Sequence, residues 1–215
     1  MNHLAVIADG NRRWAAAAGL SKKAGYAQGL SVIENCCEWA ITRDIPYMTF
    51  YCFSTENWGR SKIEVDLLMQ LGRQYFAAHA GWYADRNIKV LFSGRRDRLP
   101  KDLVDSMTRM EEVTEGGSAL TIVFCIDYGG RDEIVRAIAS GARTEEEINM
   151  ALSVQAPMPD AILRTGGQMR LSNFMLWQAA YAELFFTDSY FPELNANLLD
   201  SILGAYEERK RSYGK

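Results

Sequence analysis

The run Asp9-Gly10-Asn11-Arg12-Arg13-Trp14 puts one carboxylate, one amide and two guanidiniums directly after the apolar stretch Leu4-Ala5-Val6-Ile7. A short buried strand would end there, and a strand end is where an α/β fold presents a diphosphate and its metal. A second run, Arg164-Thr165-Gly166-Gly167-Gln168-Met169-Arg170-Leu171-Ser172-Asn173-Phe174, follows the apolar Ala161-Ile162-Leu163 and repeats the arrangement. Two anion-ready strand ends point to two anionic substrates.

Positioning those residues needs a sheet. Apolar, β-branched or aromatic runs recur at Leu4–Ile7, Tyr47–Phe53, Ile88–Phe92, Leu120–Ile126, Ala161–Leu163 and Leu184–Phe186, with helical-period segments between most of them. The alternation predicts an α/β fold, a mainly parallel six-stranded sheet flanked by helices on both faces. Ile63, Leu67, Leu68, Leu71, Tyr75, Ala78 and Trp82 keep three- or four-residue spacing and predict one long amphipathic helix. Polar residues cluster after the runs: Asp9 and Asn11, Ser54 to Asn57, Asp127 with Gly129-Gly130-Arg131, and Arg164. They are expected to face one cleft at the carboxyl ends of the strands. The charge run Glu207-Glu208-Arg209-Lys210-Arg211 is expected on a last helix.

The 215 residues, 48% of them hydrophobic, suffice for one core, and no linker composition divides residues 1–215 into more than one domain. With 24 basic against 27 acidic residues, bulk charge gives no nucleic-acid surface, so an anion site must be built from a few placed arginines. The four cysteines, Cys36, Cys37, Cys52 and Cys125, lack metal-ligand spacing, and three lie in core-like stretches, which fits a reducing cytoplasm. Neither a signal peptide nor an apolar segment of spanning length is expected. His3 and His79 lack a neighbouring ligand pattern and are expected to pack, while Glu56 reads as a helix-capping carboxylate. Neither G-x-x-x-x-G-K-[ST] nor G-x-G-x-x-G occurs, which removes the common nucleotide sites. No aspartate-rich D-D-x-x-D run occurs either.

Four ordered motifs then identify a family. Asp9-Gly10-Asn11-Arg12-Arg13-Trp14-Ala15, Phe53-Ser54-Thr55-Glu56-Asn57-Trp58-x-Arg60, Tyr128-Gly129-Gly130-Arg131, and the stretch from Arg164 to Asp188 closely resemble the cis-prenyltransferase (undecaprenyl diphosphate synthase) family over essentially the whole chain. The resemblance implies transfer of a prenyl group from an allylic diphosphate to a five-carbon diphosphate. It implies a Mg²⁺ cofactor held by Asp9 and Glu183, the glutamate often coming from the partner subunit of a homodimer. Asn11 and Arg13 are implied for the allylic substrate, with Gly10, Arg12, Trp14, Lys22 and Tyr26 around it. Arg164, Arg170 and Ser172 are implied for the second diphosphate, beside Gln168. Ser54, Asn57, Phe53 and Trp58 would lie near the reacting carbons, and Arg60 near a diphosphate. Such chemistry needs exactly these residue types in kind: cations to neutralise a diphosphate leaving group and apolar walls to shield a cation-like prenyl group.

Departures from the family gather at the substrates. Many relatives carry Arg at Lys22, His at Tyr26, Glu at Gln168, Asn at Asp127 and Pro at Ser61; replacing Arg by Lys removes a bidentate fork. Phe124-Cys125-Ile126 is bulkier than the small residues common there in long-chain synthases, which favours short products. The changes at Tyr26 and Gln168 resemble the lavandulyl-type subgroup, which joins two allylic units head-to-middle with dimethylallyl diphosphate as acceptor. Regular cis-elongation with isopentenyl diphosphate is the alternative. A non-catalytic binding subunit of a prenyltransferase is the alternative of another class, and it is disfavoured because Asp9, Arg164, Arg170 and Glu183 are all present. A diphosphate hydrolase would need a general base poised over water, which the motifs do not offer.

Overall fold

The computed structural model describes residues 1–154 and 156–209. Six strands, β1 (His3–Ile7), β2 (Tyr47–Ser54), β3 (Ile88–Ser93), β4 (Leu120–Tyr128), β5 (Ala161–Arg164) and β6 (Glu183–Phe186), form one sheet in the order β3-β4-β2-β1-β5-β6. Every pairing is parallel. Among the described residues seven α-helices accompany them: α1 (Asn11–Ala17), α2 (Lys22–Thr42), α3 (Lys62–Asp85), α4 (Lys101–Thr114), α5 (Gly130–Ala139), α6 (Glu145–Ala151) and α7 (Ala196–Glu208). The expected parallel sheet is therefore the observed one. All six predicted runs are strands, each extended by at most two residues.

The two faces of the sheet carry separate apolar clusters. Leu4, Val6, Phe50, Val90, Ile122 and Phe124 pack with α2, α3 and α4. Ala5, Ile7, Tyr51, Val123 and Cys125 pack on the other side with Phe174 and Met175. The alternation along β1 and β4 is the period-2 rule of strands buried on both faces.

The long helix α3 forms as predicted, but its buried face is rotated from the expected one. Ile63 is 83% exposed and Ala78 is exposed, while Glu64, Val65, Met69, Tyr75, Phe76 and Tyr83 are buried. Ser61, where relatives often carry Pro, caps α3 by accepting the Glu64 backbone N–H at 3.4 Å. The far end of the charge run, Lys210 and Arg211, lies outside the described residues; α7 ends at Glu208.

His3 is a core residue, as expected. Its Nδ1 lies 2.6 Å from the Pro157 carbonyl, so Nδ1 carries the proton and Nε2 accepts from the Thr49 hydroxyl at 2.8 Å. Burial pushes its pKa down to about 4, against smaller opposing effects of the Pro157 carbonyl and the Asp160 carboxylate. An unfolded chain binds this proton near 6.5 and the folded chain does not, so stability falls as pH drops from 6.5 toward 4. The expected loss is about 3 kcal/mol. Urea titrations at pH 7 and pH 4.5 should show it, and His3→Gln should remove most of that slope; an unchanged slope in the variant would assign the acid sensitivity elsewhere.

Candidate active site

A cavity of about 440 Å³ opens at the carboxyl ends of β1, β2 and β5 and runs inward between the sheet and helices α2 and α3. Its outer part is polar, lined by Asp9, Asn11, Arg13, Ser54, Asn57 and Arg164 among others. Its inner part is apolar, lined by Leu30, Ile33, Leu68, Met69, Phe76 and Phe124 among others. Phe124 is fully buried and sits in an aromatic cluster, 5.4 Å from Phe76 and 5.6 Å from Phe92 between ring centroids. The strand geometry also decides which bulky side chains face the tube: Phe124 and Ile126 do, while Cys125 points into the opposite apolar layer.

Asp9 anchors the polar end. Its carboxylate accepts from Arg164 Nη2 at 2.9 Å and lies 3.2 Å from Arg13 Nη2, yet 29% of the side chain remains exposed. Burial would raise its pKa, but the Arg164 hydrogen bond and charge, joined by those of Arg13, hold it below the ordinary aspartate value. Arg164, only 5% exposed, also donates to the Arg170 carbonyl at 2.6 Å and to Ser172 Oγ at 2.7 Å. Thus the first and last motifs meet in one hydrogen-bonded unit. Arg13 donates to the Gly166 carbonyl at 2.7 Å, which ties the two strand ends a second time.

Two glycines make this packing possible. Gly10 sits at φ +107 before α1, a conformation that side-chain-bearing residues rarely adopt. A Cβ on Gly29 would lie 2.3 Å from Asn11 Oδ1, so α2 can approach α1 only with glycine there. Asn11 donates to the Ala8 carbonyl at 3.0 Å, and its Oδ1 is buried with no hydrogen-bond partner.

The wall at β2 is irregular. Register shifts leave Cys52 unpaired between Tyr51 and Phe53, and Asp127 unpaired between Ile126 and Tyr128. Such a bulge re-aims side chains, and Tyr51, Cys52, Phe53 and Ser54 all reach the cavity in succession.

Family comparison supplies the identity of this arrangement. Residues 7–214 match the family model described as putative undecaprenyl diphosphate synthase. The chain belongs to the undecaprenyl diphosphate synthase family. It is accordingly a prenyltransferase, as the motif resemblance implies. An isoprenyl transferase of Treponema denticola is 39% identical over all of this chain and 97% of its own length, and one of Aquifex pyrophilus is 39% identical over 99% and 95%. Among solved structures, lavandulyl diphosphate synthase from Lavandula x intermedia in complex with dimethylallyl diphosphate matches with TM-score 0.94 and 31% identity, covering 100% of this chain and 98% of that one. A probable undecaprenyl diphosphate synthase from Campylobacter jejuni matches with TM-score 0.85 and 32% identity over 100% and 99%.

In this family member most motif residues meet at the cavity: Asp9, Gly10, Asn11, Arg12, Arg13, Tyr26, Phe53, Ser54, Asn57, Arg60, Arg164, Arg170 and Ser172 all line it. Five expected site residues do not. Trp14 is partly buried on α1 outside the lining, because one helical step beyond Arg13 turns it away. Trp58 donates its indole N–H to Asp127 at 2.9 Å and packs edge-on against Phe53, so it supports the wall from behind. Gln168 stands outside and accepts from Arg170 Nη1 at 2.7 Å, so any influence on the site passes through that arginine. Lys22 pairs with Glu64 at 3.1 Å and does not line the cavity.

Glu183 is the fifth. In the parallel register it faces Ala161, at the start of β5, whereas Arg164 ends β5 beside Ile7. It therefore lies at the far end of the sheet from Asp9 within one chain, where it pairs with Arg209. The expected cleft group after β4 also fails to reach the cavity. Asp127 is fully buried and held by Arg98 and Trp58, and Gly130 packs against Leu176 and Asn173. The 3-10 segment Thr55–Gly59 is capped by Ser54 together with Asn57 and not by Glu56, which sits in its first turn and accepts from Asn173 at 2.8 Å.

Sequence reading missed Glu64. Its carboxylate, 5% exposed, accepts from Arg12, Lys22, Tyr26 and Arg60. Burial alone would raise its pKa; hydrogen bonds from Lys22 and Tyr26 and the charges of Arg12 and Arg60 bring it down to about 2. The i,i+4 spacing of Arg60 and Glu64 was the available signal.

Proposed function

We propose that the chain condenses an allylic diphosphate with dimethylallyl diphosphate, head-to-middle, into a short branched prenyl diphosphate. The observation that carries the reading is the cavity: guanidinium-rich polar lining continuous with apolar lining that includes Phe124 and Phe76. Arg13, Arg164 and Arg170 bind diphosphate oxygens, with Ser172 and Asn11 orienting them. The tube takes the donor tail and excludes water from the developing allylic cation. The cavity volume of about 440 Å³ supports products of ten or fifteen carbons over long polyprenyl chains.

The lining also supports a particular fate for the proton lost after coupling. Asp9 is engaged by two guanidiniums, and burial pushes the Tyr26 phenol up to about 12, so neither is a ready base at neutral pH. A diphosphate oxygen, or a water held by Ser54 or Asn57, receives it. Mg²⁺ suits the hard carboxylate of Asp9, and when bound it would supply charge to neutralise the leaving diphosphate. Among the described residues no three His, Cys, Asp or Glu side chains gather as a metal nest, which fits an ion whose other ligands are phosphate and water oxygens. We further propose a homodimer with soluble, cytoplasmic residence; among the described residues no helix is long and apolar enough to cross a membrane.

Irregular coupling draws support from the similarity to the lavender enzyme and from Tyr26 at the cavity wall. Regular short-chain elongation with isopentenyl diphosphate is the second reading, favoured by the bacterial isoprenyl transferases. Purified protein with Mg²⁺ and five-, ten- or fifteen-carbon allylic diphosphates, each offered either five-carbon isomer, decides between them. The proposal expects branched alcohols after dephosphorylation, formed with dimethylallyl diphosphate alone. Linear Z-configured alcohols made only from isopentenyl diphosphate would establish regular elongation instead.

A further inference from the structure

Glu64 collects more cations than it can neutralise. Oε1 accepts from Arg12 Nη1 at 3.2 Å, Tyr26 OH at 2.9 Å and Arg60 Nη1 at 3.1 Å, and Oε2 accepts from Lys22 Nζ at 3.1 Å. Arg60 Nη1 also donates to Tyr26 OH at 3.1 Å, which closes the set. The donors come from α1, the start of α2 and the segment before α3, so one carboxylate ties three pieces of chain together. Three formal cations against one anion leave a surplus of two positive charges.

Exposure gives the surplus a direction. The Glu64 side chain is 6% exposed, whereas Arg12, Lys22 and Arg60 are 52%, 58% and 29% exposed. The carboxylate is the buried member of the group and the cationic side chains are the exposed ones. Arg12, Tyr26 and Arg60 line the cavity mouth. The excess positive charge therefore lies on side chains more exposed than the carboxylate that holds them, two of which also line the cavity.

We infer that Glu64 is the positioning residue that gathers Arg12 and Arg60 into a diphosphate cradle at the cavity mouth, with Lys22 behind them outside the lining. The inference rests on the diphosphate part of the proposed function and not on the prenyl acceptor or its regiochemistry. Glu64 acts through its cations and need not touch the substrate. An amide cannot replace it, because the NH₂ of glutamine would point a donor at donors, and at least one cation would be released.

The test is calorimetric titration of the full chain with inorganic diphosphate without added metal. Glu64→Gln is expected to raise Kd at least about tenfold, the scale of a lost hydrogen bond to a charged group, with the number of competent sites unchanged. A structural prop would behave the other way, lowering the number of competent sites at the parent Kd. That result overturns the inference, as does an unchanged or tighter Kd, or a parent that binds no inorganic diphosphate. If Glu64→Gln does not fold, Tyr26→Phe carries the test: losing its neutral bridge should weaken binding about threefold, and a parent-like Kd overturns the inference. A parent that binds diphosphate and responds to Glu64→Gln, yet forms no prenyl product, keeps the cradle and removes only the transfer reading.

Discussion

Asp9→Asn is expected to lower turnover by about three orders of magnitude, equivalent to about 4 kcal/mol of lost transition-state stabilisation. The substitution keeps size and one acceptor oxygen but removes the single negative charge at the point where Arg13 and Arg164 converge. Under the proposed chemistry that carboxylate engages the Mg²⁺–diphosphate, so the leaving group would depart incompletely neutralised. The two guanidiniums released from Asp9 would still bind diphosphate, so KM should hold or fall while kcat collapses, the pattern of an interaction made in the transition state. Steady-state kinetics on protein with parent-like circular dichroism provides the check. Turnover within tenfold of the parent would remove Asp9 from the metal role.

The residues that build this end of the cavity were legible because each follows a strong apolar run. Asp9 just after β1 and Arg164 at the end of β5 occupy strand ends that any parallel sheet would expose on one side, and the register Ile7↔Arg164 brings them together. What stayed hidden depends on which way a side chain turns. Trp14 and Trp58 lie inside motifs, yet a helical step rotates the first away and a hydrogen bond to buried Asp127 holds the second behind the wall. Asp127 reads as a polar loop residue because the paired bulges of β2 and β4, with φ +50 at Asp127 itself, have no signature in spacing.

Glu64 and Glu183 illustrate the same limit in opposite directions. Glu64 falls one residue after the exposed Ile63, on a helix whose apolar spacing fits more than one face, and only the folded chain shows that the acid turns inward to four donors. Glu183 sits among motif residues, but parallel pairing puts the start of β6 beside the start of β5, at the wrong end for Asp9. The exposed Leu184 on that edge strand and the exposed Tyr181 just before it are consistent with the proposed second subunit covering this region. Sedimentation of a fully active monomer would exclude a shared site.

Phe124→Ala is expected to have the largest effect on what the enzyme makes, and a large one on stability. Phe124 lines the apolar part of the cavity and contacts the rings of Phe50, Phe76, Phe92 and Tyr83. Truncating a fully buried phenylalanine costs about 3–5 kcal/mol, or a midpoint lowered by about 6–20 °C for a chain of this size. The space released adjoins the tube, so donor tails at least one five-carbon unit longer should be accepted. Cys125→Ala is the matched comparison: it removes bulk from the adjacent residue of the same strand, but on the opposite face of the sheet. It should cost stability and leave product length unchanged. The two variants separate the bulk that faces the substrate from bulk that only fills the core. If Phe124→Ala, assayed below its melting point, gives the parent's products with every donor, Phe124 is not the stop, and chain length is set nearer the mouth.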